Sequence, residues 1–205
     1  MTYNQDLIRS TKQKLRQQQP REFCEENSKA IVARLLELPE FSVAKNIFAY
    51  RAMSYEVSLE ALLADEKAVD KIFSFPLCYP HGEMRALIPS DYGLPWSSVE
   101  CADSWIKSKF GIWEPNAVHS QEMKPADIDL ILVPLVAFDN TCRRIGMGGG
   151  YYDRFLARCP HAFKVGIAFD FQKVAEINPA PWDQQLDIVV SEAAIYRSPN
   201  LSYKE

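Results

Sequence analysis

Asp129-Leu-Ile-Leu-Val-Pro-Leu-Val-Ala137 is the most apolar run of the chain. An unbroken run of this kind suits a central strand buried on both faces of a sheet, bent or ended at Pro134. Downstream follow a glycine-rich turn at Gly146-Met-Gly-Gly-Gly150, a helix from Tyr151 to Cys159 and a strand over Lys164-Val-Gly-Ile-Ala-Phe169. Asp187-Ile-Val-Val190 and Ala193-Ala-Ile-Tyr196 complete the series on that side. Upstream, Asn46 to Ala52 predicts a strand, and Ser58 to Ala68 a helix with Ser58 as N-cap and Glu60 in its first turn. Lys71 to Cys78 predicts another strand, where Pro76 suggests an edge or a strand end, and residues 84–88 a short one. Two helices open the chain, one over 4–19 broken by Pro20 and one from Arg21 to Leu38 ended by Pro39. Strands alternating with helices predict an α/β fold: a single domain over 1–205, with a largely parallel central sheet and helices on both faces, a Rossmann-like open sheet. Residues 89–125 show little periodicity. They are expected to form a long ordered loop, because Trp96, Trp105, Phe110 and Trp113 are costly to leave in water.

Composition narrows the function classes. The chain has 205 residues, 47% hydrophobic and 24% charged, with a net charge of −4. That balance argues against a broadly basic nucleic-acid binder. No apolar run approaches the roughly 18–20 residues that span a bilayer, and the first residues lack a secretory apolar region. The five cysteines contain no Cys-x-x-Cys pair, and the three histidines stand far apart. A disulfide framework or structural zinc site is therefore not expected, and a reducing, cytoplasmic setting is. A monomer acting on small molecules, with neither nucleic acid nor membrane as partner, is the expectation.

Four of the eight glycines fall within 146–150, the strongest local signal in the sequence. Glycine admits positive φ and lets a phosphate approach backbone N–H groups with no Cβ in the way. At a strand-to-helix junction such amides face an anion, and Arg143 and Arg144 stand just before it. A turn that merely needs glycine conformations is the plainer alternative. No Gly-Lys-Ser/Thr follows, so the turn is not a P-loop. As a dinucleotide fingerprint Gly146-x-Gly148 fits, but the third glycine would fall at Tyr151. Asp170, about 20 residues further on, keeps a nicotinamide or SAM enzyme open, and a non-catalytic nucleotide-binding module also stands.

Val133-Pro-Leu-Val-Ala-Phe-Asp139 followed by Arg144-Ile-Gly-Met-Gly-Gly-Gly-Tyr-Tyr-Asp-Arg154 resembles the signature of the 5-formyltetrahydrofolate cyclo-ligase family. The likeness covers essentially the whole chain, more weakly through 85–125. Some members of that family carry Arg and Lys between the glycines, where this chain has Met147 and Gly149.

The resemblance implies ATP as co-substrate and Mg²⁺ as cofactor. Lys12-Gln-Lys-Leu-Arg16 looks like the family's phosphate-holding stretch, with Lys12 and Arg16 on one helix face; a solvated basic helix is the alternative. ATP would be held by Lys12, Arg16, Arg144, Gly146, Met147, Gly148, Gly149, Gly150, Tyr151 and Tyr152. Met53-Ser-Tyr-Glu56 resembles the folate-contacting segment, and Gly111-Ile-Trp-Glu-Pro115 another family element preceded by Phe110. Folate would thus meet Met53, Glu56, Phe110 and Tyr152. A carboxylate at Glu56 suits the N–H edge of an aminopyrimidine, although helix starts favour glutamate in any case. Asp153 and Asp183 match the magnesium positions, with Asp187 a rival for the second. Arg144 and Tyr152 are the expected catalytic residues. The implied reaction converts 5-formyltetrahydrofolate to 5,10-methenyltetrahydrofolate with release of ADP and phosphate, through a phosphorylated imidate. It needs no protein nucleophile, and Cys142 is expected to be structural. Lys107 and Lys109 are candidates by charge alone for the glutamate tail.

Overall fold

The computed structural model describes residues 2–53, 55–92, 103–108 and 111–201. The central element is an eight-stranded sheet of order β12-β11-β10-β7-β1-β2-β3-β6. Its strands are β1 (Asn46–Phe48), β2 (Ile72–Cys78), β3 (Met84–Pro89), β6 (Ser120–Met123), β7 (Leu130–Pro134), β10 (Phe163–Ile167), β11 (Ile188–Val190) and β12 (Ile195–Arg197). The five inner strands from β11 to β2 run parallel, while β12, β3 and β6 add antiparallel edges. The α/β expectation holds.

The apolar run at 130–133 is explained by burial on both sides. Leu130 and Leu132 join Ile47, Phe73, Val165 and Ile188 under the helices α2 (Arg21–Leu36), α3 (Pro39–Val43) and α4 (Glu60–Leu63). Ile131 and Val133 join Phe48 and Val189 under α5 (Tyr151–Leu156), where Phe48 stacks on Phe155 at 4.5 Å. Helices thus cover both faces. The remaining helix, α1 (Thr2–Gln17), lies at the carboxyl ends of the strands, with Ile8 packed on Ala137, Ile145 and Ile177.

Gly166 on β10 shows how close the layers come. A Cβ there would stand 2.6 Å from Leu186 Cδ1 and 2.9 Å from Leu135 Cδ2. Gly166→Ala is therefore expected to destabilise the fold by roughly 1–3 kcal/mol through overpacking. Urea denaturation measures this, and an unchanged midpoint would show that the two leucines yield without cost.

Several elements differ from expectation. Pro39 does not merely stop α2: it is the first residue of α3, where its missing N–H costs nothing. β2 is an inner strand, but its pairing with β1 ends at Ser74, so Pro76 is asked for no N–H on that side. The strand expected over 46–52 is only three residues long, and α5 ends at Leu156. The segment expected as a long loop holds the end of β3, a hairpin of β4 (Trp105–Lys107) with β5 (Trp113–Pro115), and β6. Strands of three or four residues are too short for a period of two to show in sequence. Of the tryptophans expected to be withdrawn from water, Trp105 is buried, edge-on to Phe75 at 5.2 Å and capped by the Arg51 guanidinium at 4.8 Å, while Trp113 is half-buried.

Candidate active site

The carboxyl ends of β1 and β7 open toward α1, where an open α/β sheet takes its ligands. A cleft of about 780 Å³ lies beyond the carboxyl end of β1, on the α2 side. Its walls are the start of α2 at Arg21 and Cys24, the chain leaving β1 at Tyr50 to Met53 and again at Tyr55 and Glu56, and Gly111 to Trp113.

Glu56 is set into this cleft by local bonds. Its Oε2 accepts the Met53 N–H at 3.0 Å. Its Oε1 faces Arg16 Nη1 at 3.6 Å, and both side chains are only 8% exposed. Burial pushes the Glu56 carboxyl above the ordinary carboxylate range, against the pull of Arg16 and the Met53 amide. The structure therefore brings together two expected residues, Arg16 from α1 and Glu56 from the β1 exit. Lys12 shares the helix but has another partner. Its Nζ donates to the carbonyls of Phe171 at 2.6 Å and Lys173 at 2.9 Å, and burial lowers its pKa.

Tyr152 approaches from the opposite layer, on α5, with its ring 6.3 Å from that of Phe48. Its hydroxyl is buried with no hydrogen-bond partner among the described residues. Burial, reinforced by the charge of Glu56, holds the phenol well above its usual pKa. A buried hydroxyl of this kind costs free energy unless a ligand completes it. Phe110 and Lys109 lie outside the described residues; Lys107 rests over the Trp113 ring at 5.7 Å.

The glycine turn is positioned by a small hairpin, β8 (Ala137–Phe138) with β9 (Arg144–Ile145). Buried Asp139 organises its tip: Oδ1 accepts from Thr141 N, Thr141 Oγ1 and Arg143 N, and Oδ2 accepts from Ile177 N. The sequence signal for Asp139 was its place in the quoted motif, but its structural role was missed. After the hairpin Gly148 adopts φ 97° and Gly150 φ 64°, conformations that side chains resist. Gly146 and Gly149 carbonyls are taken by Arg9 Nε and Arg154 Nη2. Among the described residues no hydrogen bond is donated by an amide from Gly146 to Gly150. The amides expected to meet an anion are thus uncommitted. Tyr151 leans on Gly149 and donates its hydroxyl proton to the Tyr79 carbonyl.

Arg144 is buried. Its Nη2 donates to Asp153 Oδ1 at 2.8 Å and its Nη1 to the Gln184 carbonyl. Gln184 N–H also binds Asp153 Oδ1, at 3.0 Å, so the segment carrying Asp183 is tied to the first turn of α5. Asp183 Oδ2 accepts the Ala180 N–H. Among the described residues no group of three acidic, histidine or cysteine side chains stands ready for a metal. Mg²⁺ asks for less, taking one or two carboxylates and filling the rest of its shell with phosphate oxygens and water. Asp153 Oδ2 and Asp183 Oδ1 make no hydrogen bond among the described residues, so each carboxylate keeps one oxygen for such a cation. Asp187 sits at the amino end of β11 with Oδ2 on the Lys164 amide, facing away from the cleft end of the sheet. Asp170, the candidate for a dinucleotide ribose, accepts at Oδ1 from Ser191 Oγ at 2.9 Å and from the Tyr196 hydroxyl at 2.6 Å.

No helix among the described residues is long and apolar enough to cross a membrane. The 5-formyltetrahydrofolate cyclo-ligase family model matches residues 2–192. The 5-formyltetrahydrofolate cyclo-ligase of Haemophilus influenzae is 32% identical over 164 residues, spanning 78% of this chain and 83% of that protein. The protein of the same name in Escherichia coli K12 is 25% identical over 192 residues, spanning 93% and 99%. The solved structure of 5,10-methenyltetrahydrofolate synthetase from Aquifex aeolicus has a TM-score of 0.79 at 29% identity, covering 98% of this chain and 96% of that one.

Proposed function

The chain belongs to the 5-formyltetrahydrofolate cyclo-ligase family, and on that premise we propose that it closes 5-formyltetrahydrofolate to 5,10-methenyltetrahydrofolate at the expense of ATP. The observation that carries this reading is buried Glu56 within electrostatic reach of the partnerless Tyr152 hydroxyl, on the helix that follows a glycine turn with uncommitted amides. Glu56 would accept N–H bonds from the aminopyrimidine edge of the pterin, with Met53 beside it. Phe110, in the same chain segment as the cleft wall at Gly111, is carried over as a folate contact on family likeness. The amides of 146–150, with Tyr151 and Tyr152 at the helix start that follows them, would hold the triphosphate, and Lys12 and Arg16 on α1 are carried over to it on family likeness.

The formyl oxygen attacks the γ-phosphorus and the bond to ADP breaks, giving a phosphorylated imidate. N10 then attacks the activated carbon and loses its proton, and the carbon–oxygen bond breaks to release phosphate. Bound Mg²⁺, held by Asp153 and Asp183, would supply positive charge to the phosphate oxygens. The protein's own part is positioning and electrostatics. Arg144, held rigid by Asp153 and Gln184, would set the first turn of α5 against the phosphates, and the Tyr152 hydroxyl would donate to the reacting formyl or phosphoryl oxygen. No cysteine or serine nucleophile is called for, and Cys142, buried with its thiol pushed up to about 12, is unsuited to be one. Incubation with ATP, Mg²⁺ and 5-formyltetrahydrofolate should produce the near-ultraviolet absorbance of the methenyl product; an inert mixture overturns the proposal.

The raised pKa of Glu56 fixes a pH dependence. The pterin edge needs the carboxylate, and burial moves its protonation to higher pH than in an ordinary glutamate. Folate affinity is therefore expected to weaken as pH falls, beginning above the usual carboxylate range. Fluorescence titration with 5-formyltetrahydrofolate across pH checks this, and a flat profile down to pH 4 would remove Glu56 from the contact.

A further inference from the structure

The turn between β2 and β3 meets the first turns of α5 along a seam held by two arginines. Arg154 Nε donates to the Gly82 carbonyl at 3.0 Å, and its Nη2 to the Gly149 carbonyl. The backbone is shaped for its passage. A Cβ on Gly82 would fall 1.7 Å from Arg154 Nη2, and one on Gly150 2.9 Å from Nη1. Arg158, just beyond the end of α5, donates through Nη1 to the Met84 carbonyl at 3.1 Å. Each guanidinium stands over an aromatic ring, Arg154 at 5.8 Å from Tyr151 and Arg158 at 5.7 Å from Phe155.

These contacts fix the two cations without neutralising them. Their hydrogen-bond partners are carbonyls, and among the described residues neither arginine pairs with a carboxylate. Nearby Arg85 is balanced by Glu83 and Glu122, and Arg144 by Asp153. Arg154 and Arg158 are both exposed, and Arg154 Nη1 and Arg158 Nε and Nη2 make no hydrogen bond among the described residues. Guanidinium forks pinned on one side and open on the other suit carboxylates.

The seam also lies where the far end of the substrate is carried, on the reading that the pterin of a folate meets Glu56. The Tyr152 phenol is within electrostatic reach of both Glu56 and Cys78, the last residue of β2. From Cys78 the chain passes Tyr79, whose carbonyl accepts the Tyr151 hydroxyl, then Gly82 and Met84, which hold the two arginines. Beyond N10 a folate continues as an aminobenzoyl group ending in glutamate, and each γ-linked glutamate adds a carboxylate. We propose that Arg154 and Arg158 receive the carboxylates of this glutamyl tail and make the γ-polyglutamylated substrate the preferred one. Lys107, over the Trp113 ring on the cleft wall, is the rival by charge.

The test compares the monoglutamate of 5-formyltetrahydrofolate with its γ-linked triglutamate in steady-state kinetics. The wild type, Arg158→Gln, Arg154→Met and Lys107→Met are measured, with the KM for ATP and the melting temperature of each. In the wild type the triglutamate KM is expected ~5-fold below the monoglutamate KM, an advantage that shrinks with added salt. Arg158→Gln, which keeps a donor for the Met84 carbonyl, should reduce the advantage to ~2-fold, and Arg154→Met should remove most of it. Lys107→Met should keep it. An arginine that only ties α5 to the turn would shift both KM values together and leave their ratio alone. A wild-type ratio in both arginine variants therefore overturns the inference, as does equal use of the two substrates by the wild type. Loss of the advantage in Lys107→Met alone also overturns it, sending the tail to the other wall. If the wild type turns over neither substrate, the folate reading of the cleft falls first and takes the inference with it. Should Arg154→Met not fold, the ratio in Arg158→Gln decides.

Discussion

Glu56→Gln is expected to weaken folate binding ~100-fold, because the amide replaces a carboxylate that takes charge-assisted bonds from the pterin. It should also lower stability by about 2 kcal/mol, since Arg16 is left in a buried position facing a neutral group. Removing a partner from a buried pair commonly costs about 3–5 kcal/mol, and the remaining amide oxygen softens the loss. The two effects separate in a double-mutant cycle. Arg16→Met with Glu56→Gln should recover most of the stability, as an apolar side chain replaces a stranded cation, while folate binding stays poor. Titration with 5-formyltetrahydrofolate and urea unfolding measure the two. Wild-type folate affinity in Glu56→Gln would remove this residue from the substrate, whatever happened to the fold.

Asp153→Asn is expected to act on both folding and metal use. The Asp153–Arg144 pair joins side chains that are 23% and 4% exposed, and Gln184 N–H shares the same oxygen. Loss of the charge leaves the almost fully buried Arg144 with only neutral acceptors, the new amide oxygen and the Gln184 carbonyl, at a cost of roughly 3 kcal/mol. Turnover should fall ~100-fold or more at ordinary Mg²⁺ concentration, because a neutral amide is a poor ligand for a hard cation. Asp183→Asn separates the roles. Its carboxylate only accepts from the Ala180 amide, a bond that asparagine keeps, so this variant should fold normally and need more Mg²⁺. Magnesium titrations of the two variants, alongside melting curves, give the answer. An Mg²⁺ dependence in Asp153→Asn matching the wild type would leave Asp153 as nothing more than the partner of Arg144.

Legibility in the sequence followed the range of the forces involved. The run from Leu130 to Val133 announced a strand covered on both sides because each of its residues is buried, whichever face it points to. The helix after the glycines and the strand after that helix were equally plain. Short elements were not: β4, β5 and β6 draw their stability from neighbours, so three or four residues leave no pattern. The β8–β9 hairpin was hidden for a related reason, since Asp139 fixes it by reaching Ile177, 38 positions away. At the site, Glu56 and Tyr152 were visible as members of a motif. That Arg16 turns to Glu56, that Lys12 turns to two carbonyls, and that Arg9 reaches the glycines were not. A helical wheel tells which residues share a face but not what that face meets.

Arg9, Lys12 and Arg16 descend one side of α1 and meet three separate loops: the glycines, the chain beyond β10, and the exit of β1. The helix therefore works as a ruler whose graduations are spaced by the helical repeat. Inserting one alanine between Arg9 and Lys12 would change no charge, yet it would swing the first graduation by about 100° and slide it by about 1.5 Å relative to the others. Phase along a rod, more than the number of positive charges it carries, is what the opening segment of this chain encodes.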